Sequence, residues 1–494
     1  MKHFAFLSLI IALVFSTGAF AQENPKREFR GAWIQTVFQS EYATMTPEEM
    51  KADFIRKLDF LQSCGINAII FQVRPEADAW YASRIEPWSR FLTGKQGVAP
   101  EPYWDPMEFL IRECHWRNME FHAWLNPFRA GTSGTANLAD SHVYYQHPEW
   151  FVTYGRQLLF DPGIPACREY ICRVVRDIVR RYDVDAIHMD DYFYPYPVDG
   201  KPFPDNNSFR EYGLTAGYKP NERDNWRREN VNELIRSLQK TIKDEKPWVR
   251  FGISPFGIYR NQSSDPDGSR TNGLQNYDNL YADVTLWTRK GWIDYCAPQI
   301  YWEIGHKAAD YLTLLHWWDK HPGKAHLYIG QDVKRTMNAG DLTRKMATAR
   351  QARHVSGNCF WPANEILFNT GGFADSLREH YHQAPALIPA YTRLHDSSPR
   401  KICNLKKERT RQGYTLRWMT RGDREDPRNA QYFVIYRFAP GERVDLDDPT
   451  RIIGITRYTE CYIPASLGKY RYVITAVDRY HNESKGQSIK INTR

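Results

Sequence analysis

The eight cysteines of this 494-residue chain form no Cys-x-x-Cys pair, and the chain is too long for a disulfide-built scaffold. Most are expected to be buried small apolar residues. Cys403 and Cys461, close together in one small C-terminal region, are the pair placed to bond. No apolar run after the first twenty residues nears the ~20 needed to cross a bilayer. There is no basic run either: the formal net charge of +8 is spread along the chain. That argues against a nucleic-acid partner and favours an anionic surface or acidic glycan only weakly. No glycine-rich loop follows the first strand, as a dinucleotide site would require. Neither His122 nor His188 belongs to an HxH or HExxH spacing, so no metal and no cofactor are expected.

Aromatic residues are abundant, at 14% with 16 Trp and 30 Tyr, and many fall between the periodic segments. In an exported protein that pattern suits carbohydrate contact, because rings stack on pyranose faces. Export is expected from the first residues. Lys2 precedes an apolar run from Phe4 to Phe15, and the small residues of Ala19-Phe20-Ala21 mark a signal peptide cut after Ala21. Gln22 rather than cysteine follows the cut, so a lipid anchor is not expected. The mature chain should be soluble, in the periplasm or outside the cell.

From about residue 28 to 365, within a domain expected to run over 28–392, short strand-like runs alternate with amphipathic stretches. Strands are expected at Arg30–Thr36, Ala68–Arg74, Glu120–Asn126, Ala186–Asp190, Arg250–Phe256, Tyr295–Glu303, His326–Asp332 and Asn358–Pro362. Helices are expected between them, at Pro47–Ser63, Asp105–Arg117, Ala166–Arg181, Asn225–Ile242, Tyr277–Arg289, Ala308–His321 and Asp341–His354. Eight such alternations read as a (β/α)8 barrel of the α/β class, with a doubly wound open sheet as the alternative. After the Pro-rich stretch Ala384–Pro399, regularly spaced strands without helices predict a small β-sandwich over about 400–494. Its Ala476–Ser484 ending resembles a fibronectin type III module.

The most informative segment is Asp185-Ala186-Ile187-His188-Met189-Asp190-Asp191-Tyr192-Phe193-Tyr194. Ile187 and Met189 alternate with Ala186, His188 and Asp190, the period of a strand. Asp191 falls just past it, and aromatics follow. The same parity groups Gln72 with Arg74, His122 with Trp124 and Asn126, and Gln299 with Tyr301 and Glu303. Four strands thus present polar groups near their C-terminal ends, where a barrel carries its function. Paired carboxylates there suit glycoside cleavage. Adjacent strand residues project oppositely, so Asp190 and Asp191 are not expected to form the pair alone. Asp190 is read as the carboxylate on the sugar's reactive face, Asp191 as its orienting neighbour, and Glu303 as the acid. Trp302 and Tyr301 are expected to desolvate Glu303 partly. Asp332, Asp78, Asp161 and Glu365 stand in reserve. Arg74, Asp78, Trp80, His122, Asn126, Arg129, His188, Tyr192, Tyr194, Arg260, Gln299, Tyr301 and Trp302 are the candidate substrate contacts.

Six segments carry a family resemblance: Phe29–Trp33, Phe71–Pro75 with Asp78–Tyr81, Phe121–Arg129, Ile187–Pro195, Gly252–Asn261 and Ala297–Trp302. In order, over nearly all of 28–390, they resemble the glycosyl-hydrolase-like family ten barrels. These are exported bacterial proteins that often carry a trailing fibronectin type III module. The resemblance implies a (β/α)8 glycosidase with carboxylate chemistry at the fourth strand, hence at Asp190 or Asp191. Envelope members of the group include an enzyme that cleaves peptidoglycan glycan strands stripped of their peptides. The expected function is therefore an exported hydrolase of O-glycosidic bonds in an envelope or extracellular polysaccharide. A non-catalytic carbohydrate-binding barrel and a metal-dependent polysaccharide deacetylase or esterase are the rival readings.

Overall fold

Eight short parallel strands close into a barrel: β1 (Phe29–Ile34), β2 (Ala68–Arg74), β3 (Glu120–Leu125), β4 (Ala186–Met189), β5 (Arg250–Ile253), β6 (Tyr295–Cys296), β7 (His326–Asp332) and β8 (Val355–Trp361). Each pairs with its sequence neighbours, and β8 returns to β1. The computed structural model describes residues 24–423, 425–464 and 468–492, and the expected signal peptide lies outside them. Among the described residues no helix is long and apolar enough to cross a membrane.

Local chemistry sets the helix starts. Thr46 and Glu49 form a reciprocal capping box ahead of the Pro47–Ser63 helix, with Pro47 at its first position. Asp105 accepts the Met107 and Glu108 N–H groups before Pro106–Trp116. These helices cover the outward face of the barrel, and the inward parity fills its axis with Phe29, Ile70, Tyr295, Tyr328 and Cys359. Phe29 and Tyr328 stack at 4.0 Å. Tyr295 reaches the axis because β5 contributes Gly252 beside it. A Cβ on that glycine would fall 1.9 Å from the Tyr295 ring.

Three expectations shift. The sixth strand stops at Cys296 because Pro298 has no N–H to give a ladder, and only Gln299 makes further bridges, to Phe256 and Gly330. Tyr301, Trp302 and Glu303 therefore follow no strand parity. The expected helix Tyr277–Arg289 divides into Asn276–Asn279 and Val284–Lys290. Between them Tyr281 takes a left-handed conformation, and Asp283 caps the second piece. After β3 an unforeseen antiparallel sheet forms from Arg129–Gly131, Phe151–Tyr154 and Gln157–Phe160.

The C-terminal region is two antiparallel sheets. One holds β9 (Cys403–Arg409), β10 (Gly413–Met419) and β13 (Glu460–Pro464). The other holds β11 (Tyr432–Phe438), β12 (Ile452–Thr456), β14 (Lys469–Val477) and β15 (Gln487–Asn492). They share a core of Leu416, Trp418, Phe433 and Ile474. Cys403 and Cys461 remain free thiols, as do the other six. Strand β10 separates them, with Cys403 opposite Met419 and Cys461 opposite Leu416.

The sandwich docks on the N-terminal end of the barrel. Arg479 pairs with Asp183 at 2.8 Å, Asn118 donates to the Ile455 carbonyl at 2.7 Å, and His481 sits against Arg250 and Glu120 at 2.8 and 2.7 Å. The stretch from Ala384 is no free linker: Ile388 and Tyr391 join the axial core, and Tyr391 bonds Tyr328 through their hydroxyls at 2.6 Å.

Candidate active site

At the opposite, C-terminal end of the barrel a cavity of about 370 Å³ opens between strand ends. Strand β4 ends at Met189, and the chain then turns so that Asp190, Asp191 and Tyr192 all line it. Strand alternation no longer governs these positions, and two adjacent carboxylates enter one cavity. Aromatic walls come from Trp33, Trp124, Tyr196, Tyr301 and Trp361.

Both carboxyls are nearly fully buried, at 4% and 2% exposure. Asp190 accepts from the Trp124 indole N–H at 3.2 Å and the Asn126 amide at 3.3 Å. Asp191 accepts from the Tyr196 hydroxyl and from the Gln299 amide, the latter at 3.2 Å. Burial, reinforced by the neighbouring Asp191 charge, pushes the Asp190 carboxyl up to about 7, against the opposing pull of Arg129 and Trp124. Asp191 is also raised by burial, with Tyr196 and Gln299 opposing. Two carboxyls this close resist double ionisation, and Asp190 is the more strongly raised toward holding a proton at neutral pH.

Below this pair a hydrogen-bond chain runs down the barrel axis. The Trp33 indole can only donate, and it reaches His188 Nε2 at 3.2 Å. His188 Nε2 is therefore an acceptor, and it also faces the Ser254 hydroxyl at 2.9 Å. Burial and the nearby His122 hold His188 neutral by lowering its pKa well below the usual range. Its proton accordingly sits on Nδ1 and goes to the Tyr295 hydroxyl at 2.9 Å. Tyr295 then donates to His122 Nδ1 at 2.9 Å, which leaves His122 Nε2 to donate to Glu120 at 2.9 Å. Glu120 meets Arg250 at 2.5 Å and the sandwich residue His481 at 2.7 Å. The chain links the cavity floor to the docked sandwich, and every member is a positioning group.

Residues 28–346 match the family model described as Glycosyl hydrolase-like 10. The chain belongs to this family. It is 39% identical over 502 residues to the protein named Glycosyl hydrolase YngK of Bacillus subtilis (strain 168), covering 97% of this chain and 96% of that one. It is 38% identical over 330 residues to Glycosyl hydrolase DigH of Escherichia coli (strain K12), covering 62% of this chain and 74% of that one. Among solved structures, the PgaB (BpsB) glycoside hydrolase domain from Bordetella bronchiseptica aligns at a TM-score of 0.48 and 12% identity, covering 72% of this chain and 99% of that one. That likeness is too distant to inform the site.

In this glycosyl hydrolase-like 10 chain, Asp190, Asp191, Arg129, Tyr192, Gln299 and Tyr301 share the cavity, with Asn126 bonded to Asp190 from behind. His122 and His188 lie beneath, fully buried, in the axial chain. The others fall elsewhere. Arg74 is buried in a two-pronged ion pair with Glu86 and donates to the Asn126 carbonyl at 2.5 Å, so it braces the loop that holds Asn126. Asp78 is buried against Gln96. Trp80 is 0% exposed, packed edge-on to Tyr42 and Phe71, and offers no sugar platform. Tyr194 is buried against Phe203 and Tyr281. Arg260 lines a separate surface cavity, paired with Asp265 and Asp278.

Glu303 and Trp302 are not among the cavity-lining residues. Trp302 packs on Phe256, and the Glu303 carbonyl caps the turn to His306. The strand that would have aimed Glu303 inward ends seven residues earlier, at Cys296. Tyr196, Ser254, Trp33 and Trp361 are site residues that the sequence reading passed over. Inner-face parity with Phe29 pointed to Trp33, and parity with Gly252 pointed to Ser254. Tyr196 had no such signal, because Pro195 resets the alternation.

Proposed function

We propose that this chain is an exported glycoside hydrolase that cleaves a polysaccharide of N-acetylated amino sugars, with peptidoglycan strands freed of their peptides as the leading substrate. The carrying observation is that Asp190 and Asp191 both line one aromatic cavity, with no other carboxylate among the described residues that line it. An adjacent pair does not flank a glycosidic bond from two sides, so the substrate's own 2-acetamido group is assigned the nucleophile's part, as in substrate-assisted glycosidases. The acetamido oxygen bonds to the anomeric carbon while the bond to the leaving oxygen breaks, and Asp190 gives that oxygen its proton. Asp191 accepts the acetamido N–H and orients it. Water, losing a proton to Asp190, then opens the cyclic intermediate, which retains the anomeric configuration. The relatives named as glycosyl hydrolases support the hydrolase reading, and the signal-like start supports an envelope role. The barrel is taken to span about 28–392, and the sandwich, of fibronectin type III kind, about 400–494.

Asp190 must be protonated to act. Its folded pKa of about 7 keeps it so below that pH and ionises it above. kcat/KM should therefore fall tenfold per unit above about 7, and fall again at low pH as the Asp191 carboxylate, itself raised by burial, takes up a proton. A profile flat well into the alkaline range would contradict the role.

The functional test is reducing-end release from peptide-free peptidoglycan strands, other amino-sugar polymers and neutral plant or host glycans. Release from the amino-sugar polymers alone is expected, insensitive to chelator. Binding without release would favour a carbohydrate-binding barrel. Chelator-sensitive acetate release from chains of unchanged length would favour a deacetylase.

A further inference from the structure

Beside the catalytic cavity lies a second, of about 540 Å³, and the two share Phe38, Arg129, Tyr192 and Tyr196. They form one groove longer than a single sugar. The second cavity adds Thr132, Ser133, Arg156 and Gln157 from the small sheet and its loops, and no Asp or Glu lines it.

Arg129 stands at the junction. It is 92% buried, being 8% exposed. Its Nε donates to the Pro75 carbonyl at 2.9 Å, and its guanidinium lies 5.7 Å from the Tyr192 ring centre. Its Nη2 has no hydrogen-bond partner. The buried Arg74, Arg227 and Arg250 each hold a carboxylate directly. Among the described residues Arg129 forms no such ion pair, although its charge acts on Asp190. A buried cation with an open N–H costs stability unless something completes it. A guanidinium fork is completed best by a planar anion with two oxygens.

We propose that Arg129, together with Arg156, forms a subsite for a carboxylate carried by a sugar neighbouring the one being cleaved. This rests on the glycosidase reading and narrows its substrate to acidic chains. Peptide-free peptidoglycan strands meet the requirement through the lactyl ether acid that peptide removal exposes, and a uronic acid would present the same group. A neutral amino-sugar polymer would leave Arg129 unpaired.

The test is calorimetric binding to the full chain carrying Asp190→Asn, so that bound strands are not consumed. The probes are peptide-free peptidoglycan strands, the same strands with their carboxyls reduced to alcohols, and a polyuronate. The acid strands should bind on the order of tenfold to a hundredfold more tightly than the reduced ones. Adding Arg129→Gln should erase that ratio, Arg129→Lys should restore part of it, and Arg156→Gln should lower it severalfold. Binding of the polyuronate in place of the strands, lost with Arg129→Gln, would keep the subsite and reassign the acid to a uronate. Equal affinity for acid and reduced strands without polyuronate binding would overturn the proposal, as would a ratio untouched by Arg129→Gln and Arg156→Gln, or no binding of any probe. The glycosidase reading is judged separately, by reducing-end release from the unmutated protein.

Discussion

Asp190→Asn is expected to lower turnover on a cleavable strand by about 10²–10⁴-fold, the range lost with a general acid, while the protein stays folded and binds glycan. The amide keeps the shape and its one oxygen can still accept from Trp124 or Asn126, but it has no proton acidic enough to give the leaving oxygen. Asp191→Asn should cost a comparable factor by a different route. It removes the anion that receives the acetamido N–H, and it also removes the like charge that helps raise Asp190. The descending limb of any residual pH profile should then move to lower pH, because one of the two causes holding Asp190 up is gone. Circular dichroism and thermal midpoints within a few degrees of wild type would separate loss of chemistry from loss of fold. Full activity in Asp190→Asn would remove the acid assignment.

Arg74→Ala should produce a large stability loss from a site outside the cavity. Arg74 and Glu86 are both 0% exposed and joined at 2.6–3.0 Å by both prongs. Removing the arginine leaves the Glu86 carboxylate in the core with no cation, and breaking such a buried pair costs about 3–5 kcal/mol. The urea midpoint should fall at unchanged slope, and activity should weaken as well, because the Asn126 and Pro127 carbonyls that Arg74 holds belong to the loop behind Asp190. Arg74→Met/Glu86→Leu, which removes both charges together, should recover much of the loss. A single mutant as stable as wild type would show that Glu86 finds another partner.

Much of the barrel was legible because its signals are local. Pro47–Ser63 carries its own capping box, and Ala68–Arg74 and His326–Asp332 are apolar runs bounded by turn chemistry, so their limits coincide with the observed ones. Asp190 was legible by its place at the C-terminal end of the fourth strand, although that strand stops one residue short of it. Side-chain depth was not. His122 has the right parity but lies below the cavity, and parity says which face a residue takes without saying how far along the axis it sits. Arg74 loses its parity to a bulge after Gln72, which sets it opposite the outward-facing Leu125. Trp80 and Tyr194 failed as sugar platforms because large rings near a barrel mouth also fill space between loops and helices. Glu303 failed because one proline, Pro298, ends the strand whose alternation was extended through it. Asp191 reached the cavity for the opposite reason: strand β4 stops before Asp190, so alternation does not turn it away.

The central claim is tested most directly by cleaving peptide-free peptidoglycan strands in ¹⁸O-labelled water and reading the products by mass and by NMR. The account predicts shortened strands, one heavy oxygen on each new reducing end, initial retention of the anomeric configuration, and product formation slowed about 10²–10⁴-fold in Asp190→Asn. Strands of unchanged length, ends formed without heavy oxygen, or undiminished cleavage by Asp190→Asn would contradict it.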